Sequence, residues 1–298
     1  MNNNENTIFP LDAILILLVG VIAFAINDGL AQYLTDSYSP IQILWCRYLF
    51  GVLYILPAFF WKKNRPFFVT QTPQWQIIRG LTITASSVLF VGSLALLNIA
   101  EATAIGFASP FFVTILSIIF LKEKVSTNRW LAVIVGMIGI IIIVRPGTDA
   151  FKWGGVLGIA AAAFWALGLT FTRKTSKFDH FFTTLFFTMT VGLVASSFFV
   201  FFYWHTPDVR GWVVIMTMAA FHVVAQFLII YAFSKAPASL LAPFCYSQLV
   251  WAALIGIICF GTMPDFWGWV GSLIIIGSGI YVWYKERLLW KQVPQTLN

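Results

Sequence analysis

Ten apolar runs punctuate this chain, at 11–33, 41–60, 79–98, 102–121, 130–145, 154–172, 181–203, 212–233, 238–260 and 266–284. Most approach the roughly 20 residues that an α-helix needs to cross a hydrocarbon core about 30 Å thick. The separators are short and carry turn and charge signals, such as Ser-Tyr-Ser-Pro at 37–40, Lys-Lys-Asn-Arg-Pro at 62–66 and Arg-Pro-Gly-Thr-Asp at 145–149. No soluble domain fits between them. Composition agrees, because 60% of the 298 residues are apolar and only 10% charged, whereas a soluble domain carries about 45–50% and about 25%. The surplus apolar surface has to face lipid. A disordered chain, a disulfide-stapled secreted scaffold and a nucleic-acid binder with a solvated basic face are excluded. The expected fold class is an all-α membrane protein of ten transmembrane helices.

The basic residues orient those helices. With the N-terminus in the cytoplasm, 14 of the 18 lysines and arginines, Arg79 among them, fall in inner loops and ends. Only Arg145, Lys152 and Arg210 fall outside, and Arg47 lies within a span. That bias is a positive-inside signal, which places both termini in the cytoplasm and accounts for the net charge of +7. The first run follows Met-Asn-Asn-Asn-Glu-Asn, which lacks the basic region of a signal peptide, so it is expected to be a retained helix. Cys46, Cys245 and Cys259 are read as packing residues; the last two are about 21 Å apart along one helix, too far for a disulfide.

The two halves of the chain resemble each other. Leu-Leu-Asn-Ile-Ala-Glu-Ala-Thr at 96–103 answers Ala-Phe-Ser-Lys-Ala-Pro-Ala-Ser at 232–239, Pro110-Phe111 answers Pro243-Phe244, and Gly136 and Gly139 answer Gly277 and Gly279. A repeat of five spans is odd, so the second copy enters the membrane inverted relative to the first. The division falls between 1–148 and 149–298, and two inverted five-helix repeats are expected to enclose a central cavity. Pro110 and Pro243 each remove an amide from the fourth span of a repeat, and matched helix breaks of this kind point to a binding site, unless they serve only packing.

These residues resemble a known family. Ala-Glu-Ala-Thr-Ala at 100–104, Ser-Pro-Phe-Phe at 109–112, Phe-Leu-Lys-Glu-Lys at 120–124 and Val-Arg-Pro-Gly at 144–147 are similar to the EamA-type family of the drug/metabolite transporter superfamily. The second half agrees, with Ala-Pro-Ala-Ser-Leu-Leu-Ala-Pro-Phe at 236–244, Tyr246, Gln248 and Phe260-Gly261 before Pro264. The resemblance implies a ten-helix inner-membrane carrier that moves small organic solutes by alternating access. Asn27-Asp28, Arg47, Arg79-Gly80 and Tyr246 look most similar to the branch with S-adenosylmethionine and riboflavin carriers. Lys122-Glu123 and Thr262 depart from the family's usual Gly-Glu and Glu at the corresponding helix ends.

Ionisable groups inside a membrane are costly and default to functional candidates. Asp28 and Arg47 are expected at matched depth on antiparallel neighbours, forming a pair that is either structural or lent to a zwitterionic or charged solute. His222 and Gln226 share one face of their helix, where the histidine is either a proton-coupling group or hydrogen-bonded to a neighbouring helix. Phe244, Ser247, Gln248 and Trp251 follow helical spacing as a mixed aromatic and amide stripe, suited either to a planar solute or to packing. Trp165, Tyr54 and Tyr246 are further candidates. Glu101 is expected to be solvated, and Gly154 and Gly158 to form a face that packs helices.

The leading functional reading is a secondary carrier of a small metabolite, with S-adenosylmethionine, riboflavin and amino-acid-like solutes all compatible. The partners are that solute and the bilayer, with no nucleic acid, cofactor or metal, and the chain is expected as a monomer or homodimer. A lipid flippase or structural membrane partner shares the composition but leaves inverted halves with a polar interior unexplained. An enzyme is not expected, since His180, His205 and His222 are scattered and no His-Glu-x-x-His or paired-carboxylate arrangement occurs. The sequence also holds no Walker motif for ATP-driven pumping.

Overall fold

The computed structural model describes residues 11–61, 69–121, 127–145, 152–175, 178–235 and 244–292. Among the described residues the chain is helical without strands: α1 (Leu11–Thr35), α2 (Pro40–Trp61), α3 (Pro73–Leu94), α4 (Ile99–Gly106), α5 (Ser109–Leu121), α6 (Thr127–Val144), α7 (Trp153–Thr175), α8 (Phe181–Val200), α9 (Val209–Lys235), α10 (Ser247–Phe260) and α11 (Phe266–Gln292). Local chemistry sets several ends. Pro40 and Pro73 open α2 and α3, where a missing amide costs nothing. The Asn98 side chain caps α4 by accepting from the Glu101 amide. Gly261 ends α10 at φ 62°, a left-handed value that a side chain would resist.

Among the described residues, seven helical stretches are long and apolar enough to cross a membrane, and Ile134–Val144, Ser247–Phe260 and Phe266–Tyr281 are shorter apolar stretches. The protein is therefore a multi-pass membrane protein. Two expectations change. The third helix begins at Pro73 rather than 79, so Arg79 is not a loop residue but sits about 9 Å along α3. The polar Gln76 and Arg79 hide this start from a hydropathy reading; their partners are Thr172 of α7, Thr184 and Thr188 of α8, and Asp179 between the two helices. The fourth run is broken into α4 and α5 at Phe107 and Ala108. Pro110 is thus in the first turn of a new helix rather than a kink inside a continuous one. Pro243 lies outside the described residues.

The bundle is built on close crossings between the two halves of the chain: α1 packs along α9, α3 along α7, α6 along α11 and α2 against α8. Glycine makes the approaches possible. A Cβ on Gly139 would stand 2.7 Å from the Gly271 carbonyl oxygen, and one on Gly271 would stand 2.5 Å from that of Gly139. Gly154 and Gly158 admit Leu97 and Ile105 in the same way, so that face does pack helices.

Two sets of polar contacts fasten the ends. At the end carrying the α1–α2 turn, Gln42 exchanges hydrogen bonds with the His205 backbone and Tyr38 donates to Asp208. At the opposite end, between α2 and α3, Asp179 accepts from the hydroxyls of Thr70 and Thr72, the Gln71 amide and the Gln76 side chain.

Candidate functional site

Four helices bring polar groups to one place inside this apolar bundle. Asp28 is 3% exposed on α1, and its carboxylate accepts from Asn27 Nδ2 at 2.9 Å and from Gln248 Nε2 of α10 at 3.2 Å. Gly29, the next residue, allows this approach, since a Cβ there would lie 2.7 Å from Ile255 of α10. Arg47 of α2, 5% exposed, lies close enough to act electrostatically on both the Asp28 carboxylate and the His222 imidazole. His222 of α9 is equally buried and tilts against Phe24 of α1, with ring centroids 5.9 Å apart. Gly20 supports that contact by letting α9 approach α1 at Leu228 and Ile229.

The expected Asp28–Arg47 pair is not a direct contact; Arg47 acts on the carboxylate through space. No ion pair joins them among the described residues; Asp28 is held by two amides instead, and the Arg47 guanidinium lies 5.5 Å from the Tyr48 ring centroid. Three buried polar atoms around the carboxylate have no hydrogen-bond partner: Arg47 Nε, His222 Nδ1 and Asn27 Oδ1. Buried polar groups are nearly always satisfied, so each of these three atoms calls for a partner that the described residues do not supply. Asn27, not a site candidate in the sequence, belongs to this group.

The aromatic and amide stripe divides. α10 begins at Ser247 after a turn at Tyr246, so the stripe is not one continuous helical face. Gln248 reaches Asp28, while Phe244 and Trp251 pack beside the apolar cluster of Ile14, Leu17 and Val21. Tyr246 stacks on Phe107 at the α4–α5 break, with centroids 4.8 Å apart, and its ring covers Gly279 of α11. Gln226 and Trp165 are half-buried on α9 and α7 and form no hydrogen bond or ring contact among the described residues. Tyr54 is exposed and donates to the Met216 carbonyl, outside the cluster.

Glu101 is also corrected. It is 3% exposed, not solvated, and binds Lys152 Nζ at 2.6 Å. Lys152 lies 3.9 Å from Asp265, which pairs with Arg145, so α4, α6, α7 and α11 meet through four charges. Glu101, Lys152 and Asp265 border an open cleft of about 530 Å³ lined also by Asn98, Trp153 and Met263. For Asp265, burial raises the carboxyl's pKa, but donation from the Gly268 amide and from Arg145, with the charges of Lys152 and Arg145, brings it below the ordinary value. Sequence reading missed this cluster because its members are far apart in the chain and each resembles an ordinary loop charge.

A multi-pass helical bundle with charged and amide side chains converging in its apolar interior has the architecture of a membrane transporter. The chain matches the EamA-like transporter family twice, over residues 11–145 and 152–293, and belongs to that family. It is similar to an S-adenosylmethionine uptake transporter of Rickettsia bellii (strain RML369-C), at 27% identity over 91% of this chain and 92% of that protein. It is also similar to a riboflavin transporter of Vibrio cholerae serotype O1, at 28% identity over 92% and 93%. A solved crystal structure aligns with 94% of this chain and 99% of its own at a TM-score of 0.67 and 15% identity, which speaks to the fold alone.

Proposed function

We propose that this protein is an inner-membrane secondary carrier for a small metabolite with a zwitterionic head, of the S-adenosylmethionine or amino-acid type, working by alternating access. The observation that carries this reading is the convergence of Asp28, Arg47, His222 and Gln248 from four helices, with unmet polar atoms on Arg47, His222 and Asn27. A solute carboxylate would meet Arg47, and its ammonium or other cationic group would meet Asp28. The stacked Phe107 and Tyr246 offer an aromatic wall at the helix break.

The helix pairing supports two inverted halves of five spans each. Exchanging the halves turns the α1–α9 crossing into that of α7 with α3, and leaves the α2–α8 and α6–α11 crossings paired with themselves. A family match to each half in turn supports the same duplication. The polar fastenings at both ends then lie between the halves, where rocking would make and break them.

Uptake of radiolabelled S-adenosylmethionine into proteoliposomes, beside labelled riboflavin, tests the proposal. Wild-type protein is expected to accumulate the zwitterion, and Arg47→Gln to lose that uptake while still inserting into the membrane. Undiminished transport by Arg47→Gln would exclude Arg47 from the binding site.

A further inference from the structure

Arg79 is a further charge within a candidate membrane span, Pro73–Leu94, and the carrier site does not use it. It lies on α3, half-buried, facing α7 and α8 at the end of the bundle opposite the α1–α2 turn. Its Nε donates to the Thr172 hydroxyl at 2.6 Å, and its Nη1 to the Thr188 hydroxyl at 2.5 Å and the Thr184 carbonyl at 3.4 Å. The threonines are fixed in their turn: Thr172 donates its own proton to the Gly168 carbonyl and Thr188 to that of Thr184. Each hydroxyl therefore offers a lone pair to the guanidinium, which is held in one orientation while Nη2 donates to nothing among the described residues.

Every partner is neutral. The described carboxylate nearest by, Asp179, is occupied by Thr70, Thr72, Gln71 and Gln76, and Arg79 makes no ion pair among the described residues. Gln76, fully buried one turn earlier and also bonded to Thr184, leaves its Oε1 unmet. An arginine stays charged, and a membrane-embedded cation without a counter-charge is costly unless an anion joins it. Its planar fork matches the oxygens of phosphate and carboxylate.

We propose that Arg79 forms an oxyanion-binding site between α3, α7 and α8, separate from the Asp28 cluster and independent of which solute that cluster carries. The ligand is a phosphate or carboxylate, and one bearing a neighbouring hydroxyl also meets Gln76 Oε1. It arrives either as the head group of an anionic phospholipid or as a free anion in solution.

The full-length protein in a phosphate-free maltoside detergent separates these sources. Its thermal unfolding midpoint is followed while phosphatidylglycerol or inorganic phosphate is titrated, with chloride at matched ionic strength as the control. A saturating rise with one probe is expected, lost in Arg79→Gln; a rise with phosphatidylglycerol alone identifies the lipid source, and one with inorganic phosphate the free anion. Thr172→Val, which keeps the charge but releases the fork, is expected to raise the half-saturating concentration by about tenfold. Should Arg79→Gln fail to fold, that shift in Thr172→Val decides the matter. Equal responses of wild type and variants to both probes, or no response beyond chloride, would overturn the site. Because the readout is stability and not uptake, it stands or falls separately from solute transport.

Discussion

Single residues in this protein are decided by what neighbouring helices offer them. Arg47, Asp28 and His222 stood out in the sequence because ionisable groups are rare in apolar runs, and the structure brings all three together. Their contacts were not legible, since an ion pair and an amide-held carboxylate leave the same residues at the same depth. Asp179 shows the same limit outside the spans. Burial raises its pKa, but hydrogen bonds from Thr70, Gln76, the Gln71 amide and Thr72 outweigh this and hold it below the ordinary 3.8. The sign follows: these bonds contribute stability above about pH 4, and it is lost as pH falls through the lowered folded value. Thermal unfolding measured down to about pH 3 is expected to show this loss in wild type, and less of it in Asp179→Asn. The half-exposed carboxylate contributes about 1 kcal/mol at most after solvent screening.

Helices pack here by close backbone approach, and glycine positions set how near they come. The α6–α11 crossing is the sharpest case, because Gly139 and Gly271 each face the other's carbonyl oxygen, which cannot swing away, besides Ile275 and Ile143. Gly271→Leu is therefore expected to push the helices apart and lower stability by about 1–3 kcal/mol, measured as a fall in the unfolding midpoint. A leucine at Gly277, which meets nothing within 4 Å, is the control that leaves packing intact. Glycines in the fifth and tenth apolar runs were visible in the sequence as a repeat, but which of them touch was not. Apolar run lengths also placed most helix ends within a few residues, yet missed the α4–α5 break, where Phe107 stacks on Tyr246. A distant aromatic partner gives no local signal.

At the scale of the molecule, the distribution of lysine and arginine predicts both termini in the cytoplasm, which a green fluorescent protein fused to either terminus checks by fluorescing in cells. A dark C-terminal fusion beside a bright N-terminal one would mean an odd number of crossings and would remove the inverted five-span halves. What the sequence determined by itself was the solvent of this protein and its helical character, because apolar content and run length are sums over residues and need no knowledge of contacts. It also isolated the few charges that lipid would not tolerate unaided. Which helices cross, that Asp28 rests on Gln248, that Glu101 is buried against Lys152, and that Arg79 is held by threonines of α7 and α8 were decided only by tertiary packing. The reason is physical: inside an apolar bundle the strongly polar side chains draw partners from other helices, up to 220 residues away along the chain.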